Sequence, residues 1–196
     1  MSLCIAFLTG QSNRRSCALS PVQAQFLDQL NSKGIVLQAT NFPYDESPQA
    51  FTKINLIQAS VSNARQYLAS RRLSFSEQHS QQVLALINRY SKVLFLVGSC
   101  GLELLNNLHL PADMTSRVEV LAYGPVAKSA GCFKLTTVQG KQDYLSRLYF
   151  SEVDHRIESG HMDYLQSADF LTITRAKIAS MLLGNDVCKV PHKHAC

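Results

Sequence analysis

Short apolar runs alternate with longer segments of helical periodicity along almost the whole chain, and this alternation limits the fold more than any other feature. An apolar run bounded by turn residues is typical of a buried strand, and the helical segment after it leads back to the next strand. Crossovers of this kind place strands parallel. The sequence therefore predicts an α/β protein with flanking helices and a mostly parallel sheet of about six strands, at residues 3–8, 35–39, 93–97, 117–122, 133–139 and 155–158.

Serine residues mark two of the expected helix starts. Ser20 before Pro21 fits an N-cap followed by proline in the first helical turn. Ser76 with Glu77 after it predicts a helix that runs to about Tyr90. The last helix is predicted over residues 164–183.

Length and composition indicate one domain, for which we take residues 1–184, followed by a C-terminal tail, 185–196. The formal charge of +5 is dispersed apart from Arg14-Arg15 and Arg71-Arg72, unlike the dense basic stripe of a nucleic-acid-binding protein. No apolar run is long enough to span a bilayer, and no basic region precedes the first apolar segment. We therefore expect a cytoplasmic protein without a nucleic-acid or membrane partner.

A thiol, a carboxylate and an imidazole each follow a predicted strand. Cys100 lies in Gly98-Ser99-Cys100-Gly101 after the third strand, Asp143 follows the fifth, and His161 follows the sixth. The carboxyl ends of parallel strands share one edge of the sheet, where ligands bind. A nucleophile, a base and a carboxylate at that edge suit covalent catalysis on carboxyl derivatives. Taken singly, Cys100 also fits a core thiol, Asp143 a helix N-cap, and His161 a cap of the last helix.

The order of these three residues resembles that of the α/β-hydrolase family, and the resemblance runs from Leu3 to about Leu183. The chain is similar to members with a cysteine nucleophile, either dienelactone-hydrolase-like or thioesterase-like, on a reduced, minimal sheet. The resemblance implies that Cys100 attacks the carbonyl carbon, His161 takes the thiol proton, and Asp143 orients the imidazole. It implies no cofactor and no metal.

The resemblance also implies an oxyanion hole. Family members use the backbone amide after the nucleophile, here that of Gly101, and an amide from the loop after an earlier strand, here that of Gln11. The segment 40–56 is the expected cover of the cleft, with Phe42 and Tyr44 as substrate-binding residues.

The implied function is a hydrolase or acyltransferase that acts on an ester or thioester through a Cys-His-Asp triad and a covalent acyl-enzyme. Because thiolates react readily with thioesters and the surface is mildly basic, an acyl carrier protein is a candidate partner beside small-molecule esters. One alternative is a dienelactone-hydrolase-like enzyme or a simple carboxylesterase. Another is a non-catalytic binding or assembly subunit, because Leu102 occupies the position where the family pattern has glycine. A homo-oligomer fits each of these.

Two further segments offer competing sites. Gly10-Gln11-Ser12-Asn13 is similar to a motif of some carbohydrate O-acetylesterases in which the serine attacks, but the late Asp-x-x-His of those enzymes is missing. The tail holds four soft metal ligands, and their crowding differs from the two separated pairs of a zinc site. We expect a solvated tail without metal, although it contains Cys188, His192, His194 and Cys196.

Overall fold

A computed structural model describes residues 2–11, 13, 16–44, 51 and 55–184 of the chain. Its centre is a sheet of six parallel strands in the order β2-β1-β3-β4-β5-β6. The predicted class and all the predicted strands are confirmed, since the strands are β1 Leu3–Thr9, β2 Ile35–Leu37, β3 Lys92–Gly98, β4 Val118–Tyr123, β5 Lys134–Gly140 and β6 His155–Ile157.

Helices connect the strands and cover both faces of the sheet. They are α1 Pro21–Asp28, α2 Leu56–Ala69, α3 Leu73–Arg89, α4 Gly101–Asn106, α5 Ala112–Thr115, α6 Tyr144–Arg147 and α7 Ala168–Leu183, with a 3-10 turn at Tyr164–Gln166. Within the part of the chain that the structure describes, no helix is long and apolar enough to cross a membrane.

Of the two serines predicted as helix N-caps, Ser20 caps a helix and Ser76 does not. Ser20 caps α1, since its side chain accepts a hydrogen bond from the Gln23 amide and the Gln23 Oε1 accepts one from the Ser20 amide. Helix α3 begins before Ser76, and the Ser76 hydroxyl donates instead to the Leu108 carbonyl at 2.8 Å. Ser167 caps α7 and so separates that helix from the 3-10 turn before it.

Each face of the sheet carries one layer of apolar side chains. On one face α3 and α4 contribute Val83, Ile87 and Leu104. On the other face α1 and α7 contribute Phe26 and Phe170, whose stacked rings have centroids 5.3 Å apart. Successive side chains of a strand point to opposite faces, so β1 supplies both layers, with Cys4, Ala6 and Leu8 in the first and Leu3, Ile5 and Phe7 in the second.

Gly101 lets the start of α4 lie directly against β1. A Cβ atom added at Gly101 would lie 2.1 Å from the Leu8 carbonyl oxygen. This oxygen is a backbone atom of the central sheet, so it cannot move aside as the end of a flexible side chain could. Only glycine allows this close approach of helix and strand.

Substituting Gly101 by alanine is expected to lower the free energy of unfolding by about 2 kcal/mol or more, because backbone must move to relieve the clash. Urea unfolding measures the change. Gly34→Ala is a suitable control, since Gly34 has a φ of +87° but open space around it, and a left-handed backbone alone costs about 1 kcal/mol. A smaller loss for Gly101→Ala than for Gly34→Ala would contradict the close packing.

Candidate active site

The elements bring the predicted positions to one edge of the sheet. Ser99 and Cys100 directly follow β3, Asp143 lies between β5 and α6, and His161 follows β6. All six strands run in the same direction, so their carboxyl ends lie along this edge.

His161 bridges Asp143 and Ser99. Its Nδ1 lies 2.9 Å from each carboxylate oxygen of Asp143, and its Nε2 lies 3.1 Å from the Ser99 Oγ. The Asp143 side chain is fully buried, whereas 23% of the His161 side chain is exposed. A carboxylate at Nδ1 favours the tautomer with its proton on Nδ1, which leaves Nε2 free to accept the proton of a hydroxyl. The three side chains therefore have the geometry of a Ser-His-Asp triad.

Ser99 has a backbone conformation that non-glycine residues rarely adopt. Its φ is +52°, in the left-handed region. Two hydrogen bonds hold this turn: the Ser99 amide donates to the Tyr123 carbonyl at 3.2 Å, and the Val126 amide donates to the Ser99 carbonyl at 2.9 Å. Strained backbone of this kind often occurs at functional sites, where the surrounding structure holds it in place. The Ser99 side chain is partly exposed at the tip of this turn.

Cys100 is placed differently from the sequence-based expectation. Its side chain is 4% exposed and belongs to the apolar layer packed by α3 and α4. Its sulfur faces Gly10, where an added Cβ would lie 2.8 Å away. Both ring nitrogens of His161 lie at hydrogen-bond distance from Asp143 and Ser99, whereas the Cys100 sulfur lies against Gly10. The residue in contact with His161 is thus the serine one position earlier.

The electrostatics of Cys100 agree with this placement. Burial raises the pKa of the Cys100 thiol from 9.0 to about 11, against the opposing effect of hydrogen bonds from the backbone amides of Cys100 and Gly10. A thiol with a raised pKa is a poor source of thiolate near neutral pH.

With Ser99 as the central residue of the turn, the glycine two positions later in the family pattern is Gly101, and Leu102 is an ordinary core residue at 0% exposure. The first glycine of the pattern falls at Val97 for Ser99 and at Gly98 for Cys100, so each residue matches one of the two glycines and the pattern alone did not separate them.

Cys100 is expected to resist alkylation in the folded protein. The thiolate fraction falls tenfold per pKa unit, so the shift from 9.0 to about 11 leaves about 100-fold less thiolate than in an ordinary cysteine. Iodoacetamide treatment near neutral pH, followed by peptide mass spectrometry, should leave Cys100 unmodified until denaturant is added. Cys4 is a buried control whose pKa burial raises to about 12. Fast labelling of Cys100 but not of Cys4 would contradict this environment.

Asp143 combines two roles that the sequence left as alternatives. It is the N-cap of α6, since its Oδ1 accepts a hydrogen bond from the Ser146 amide at 2.9 Å, and it also holds His161. Burial alone would raise the pKa of Asp143, but hydrogen bonds from His161, the Ser146 amide and the Tyr164 hydroxyl hold that pKa below its ordinary value. The carboxylate therefore stays ionised beside the imidazole.

Tyr164 is a site residue that the sequence did not indicate. Its hydroxyl donates to Asp143 Oδ2 at 2.6 Å and accepts from the Gly140 amide at 2.6 Å. Burial and the hydrogen bond to Asp143 raise the pKa of Tyr164, so the hydroxyl keeps the proton that it donates. Tyr164 lies far from Asp143 along the chain, and only the folded 3-10 turn brings the two together.

The structure also favours a different pair of amides for the oxyanion hole from the predicted amides of Gly101 and Gln11. The Gln11 amide donates to the Gln66 Oε1 at 2.6 Å and is therefore engaged by a strong acceptor. The amide directly after Ser99 is that of Cys100 rather than Gly101. The Cys100 and Gly10 amides both lower the pKa of the Cys100 thiol by hydrogen bonding, against the larger effect of burial, and Gly10 lies directly against the sulfur, which is a weak acceptor. These two amides are the candidate anion-binding pair.

Phe42 and Tyr44 both pack against other parts of the protein, Phe42 half-buried and Tyr44 buried. The Phe42 ring stacks on Phe95 of β3 with centroids 6.3 Å apart. Tyr44 is 4% exposed, its ring meets His79 edge-on, and its hydroxyl donates to the Thr9 carbonyl at 3.1 Å. The burial of Tyr44 argues against its direct contact with substrate, whereas the half-buried Phe42 stays a predicted substrate-binding residue.

Other predicted features lie outside the described residues: Ser12, Arg14, Arg15 and the tail 185–196. Over residues 2–11, 13, 16–44, 51 and 55–184, no group of His, Cys, Asp and Glu side chains could hold a metal ion.

Comparison with known proteins supports the fold at low sequence identity. No protein-family model matches the chain, and no curated protein is significantly similar to it. The chain is similar to a crystal structure of a protein of unknown function from Agrobacterium tumefaciens that is classed provisionally as an α/β-hydrolase. The TM-score is 0.50 at 10% identity, and the match covers 94% of this chain and 87% of that one. At this identity the likeness concerns the fold alone, and it shows that this chain has an α/β-hydrolase-like fold.

Proposed function

We propose that this protein is a serine hydrolase that cleaves a carboxylic ester or thioester through a covalent acyl-enzyme. The observation that carries the proposal is the position of His161, with Nδ1 on the buried Asp143 carboxylate and Nε2 at 3.1 Å from Ser99 Oγ. The left-handed turn at Ser99 supports it, because the turn presents the hydroxyl at the carboxyl edge of the sheet.

The proposed reaction begins with attack of Ser99 Oγ on the carbonyl carbon. His161 Nε2 accepts the hydroxyl proton, and the Asp143 carboxylate stabilises the imidazolium that forms. The carbonyl oxygen becomes an oxyanion that the Gly10 and Cys100 amides stabilise. The tetrahedral intermediate then collapses, the bond to the leaving group breaks, and His161 returns the proton to the departing oxygen or sulfur. Water repeats the sequence on the acyl-enzyme and releases the acid.

A serine nucleophile changes the expected substrate. The preference for thioesters came from the chemistry of a cysteine, so esters now stand first and thioesters second. Exposed apolar side chains directly follow two triad positions, with Tyr144 73% exposed after Asp143 and Met162 69% exposed after His161. They support an ester with an apolar acyl group. An acyl carrier protein remains a proposal that rests on the net charge of +5.

Turnover of a series of p-nitrophenyl esters, from acetyl to octanoyl, tests the proposal. We expect saturable hydrolysis by the purified protein, with kcat/KM rising by about tenfold from the acetyl to the longer acyl groups as apolar surface is buried. Acyl-thioesters of the same chain lengths form a second series. If the wild-type protein turns over neither series faster than the Ser99→Ala variant does, the non-catalytic alternative is correct.

A further inference from the structure

The loop after β1 is fixed on one side by Asn41 and Tyr44. The Tyr44 hydroxyl and the Asn41 Nδ2 donate to the Thr9 carbonyl at 3.1 and 3.3 Å. The Asn41 Oδ1 accepts from the Thr9 amide at 3.0 Å. Both backbone polar groups of Thr9 are thus bound by side chains from the segment that follows β2.

The same loop is fixed on its other side by α2. The Gln11 amide donates to Gln66 Oε1 at 2.6 Å, and the Ser62 hydroxyl donates to the Gln11 carbonyl at 3.0 Å. Gln66 is 9% exposed, so this contact is shielded from competing water. The Gln11 amide therefore points to α2, whereas Gly10 lies against Cys100, since a Cβ added at Gly10 would be 2.8 Å from the sulfur.

The direction of the Gly10 amide follows from the geometry of the peptide unit. The Thr9 carbonyl and the Gly10 N–H belong to one planar trans peptide, in which the two groups point in opposite directions. Holding the carbonyl on Asn41 and Tyr44 therefore aims the N–H the other way, and Gly10 lies there against the Cys100 sulfur, next to Ser99 in the chain.

We infer that Tyr44 and Asn41 are positioning residues that aim the Gly10 amide at the oxyanion, while Ser62 and Gln66 hold the far end of the loop. The inference rests on the proposed function and deepens it. It assigns Tyr44 a role compatible with its burial, in place of the substrate contact expected from the sequence. Because the oxyanion exists only along the reaction path, the effect of these residues should fall on kcat and spare KM.

Tyr44→Phe removes one donor to the Thr9 carbonyl and keeps the ring that packs on His79. Removal of an oxyanion-hole donor costs about 10²- to 10³-fold in kcat. Asn41 still holds the carbonyl in this variant, so we expect a smaller loss, about tenfold, with an unchanged KM. Inhibition by a trifluoromethyl ketone that forms a tetrahedral adduct should weaken by the same factor. Gln66→Met, which removes the acceptor for the Gln11 amide, should act in the same direction.

Two matched variants separate positioning from general loosening. Tyr90→Phe makes the same chemical change to a ring that packs against the apolar layer of α3 and α4, next to the start of β3 at the opposite edge of the sheet. Ser70→Ala removes a hydroxyl of the α2 region that binds Asn107 rather than the loop. Both variants should keep the kcat and the inhibitor affinity of the wild type, whatever their melting temperatures.

The outcomes distinguish this inference from the proposed function. A wild-type protein without turnover of any ester would overturn both. An active wild type, with kcat and inhibitor affinity of Tyr44→Phe and Gln66→Met within about twofold of it, would overturn the inference alone. Equal losses in Tyr90→Phe and Ser70→Ala would also overturn it, because the effect would then not pass through the Gly10 amide.

Discussion

Replacing Ser99 by alanine is expected to lower kcat for ester hydrolysis by about 10⁴- to 10⁶-fold, the size of effect seen when a triad nucleophile is removed. The reason is that Ser99 supplies the only oxygen in contact with the Nε2 of His161 among the described residues. The fold should persist, because Ser99 is partly exposed at the tip of a turn. Steady-state kinetics and thermal melting of the same preparation measure both quantities.

Cys100→Ala is the matched control for that variant. The two residues are neighbours in one turn, and both substitutions create alanine. Since the Cys100 side chain packs in the core and its backbone amide is unaffected by the substitution, kcat should stay within about threefold of the wild type. The melting temperature should fall slightly because a buried atom is removed. The opposite pattern, an active Ser99→Ala and an inactive Cys100→Ala, would restore the cysteine as nucleophile.

The second large effect is expected from Asp143→Asn, which should lower kcat by about 10⁴-fold. The amide group cannot enforce the tautomer of His161 with its proton on Nδ1, so Nε2 would no longer be free to accept the Ser99 proton. Asp154→Asn is the control, because the Asp154 carboxylate accepts hydrogen bonds from the amide and hydroxyl of Thr137 on β5. A kcat of Asp143→Asn close to that of Asp154→Asn would remove Asp143 from the triad.

The lowered pKa of Asp143 adds a stability effect with a definite sign. A carboxyl whose pKa is lower in the folded state stabilises the fold above its unfolded-state pKa of about 3.9, and the contribution is lost as pH falls through the folded-state value. The wild type should therefore be more stable than Asp143→Asn near neutral pH. Urea unfolding should show that this difference shrinks as the pH falls below about 4. A difference that is constant with pH would mean that the charge of Asp143 does not contribute.

The strands could be predicted from the sequence because burial on both faces leaves a continuous apolar run. The run at Val93–Val97 is such a case, and it lies within β3. Helix ends were less predictable, as Ser76 shows. It has the residue type of an N-cap, but its hydroxyl binds the Leu108 carbonyl, a tertiary contact that local pattern does not contain.

Only part of the candidate site could be predicted, because strand ends can be read from the sequence and tertiary contacts cannot. Asp143 and His161 could be found because each follows a strand, and parallel strands bring such positions to one edge. The choice between Ser99 and Cys100 depends on which side chain the turn exposes, and local sequence does not contain the tertiary packing that buries Cys100 and leaves Ser99 partly exposed. Tyr164 could not be found, since its role exists only through contacts with Asp143 and the Gly140 amide in the folded chain.

The most direct measurement of the central claim is the location of a fluorophosphonate adduct. Such probes phosphonylate an activated serine, and cleavage after Lys92 and Arg117 places Ser99 and Cys100 on one tryptic peptide, where fragment ions separate them. We predict that the folded wild-type protein carries the adduct on Ser99, and that Asp143→Asn reacts much more slowly. An adduct on another residue, or a Ser99 that remains unmodified while the protein hydrolyses esters, would contradict the assignment of Ser99 as the nucleophile.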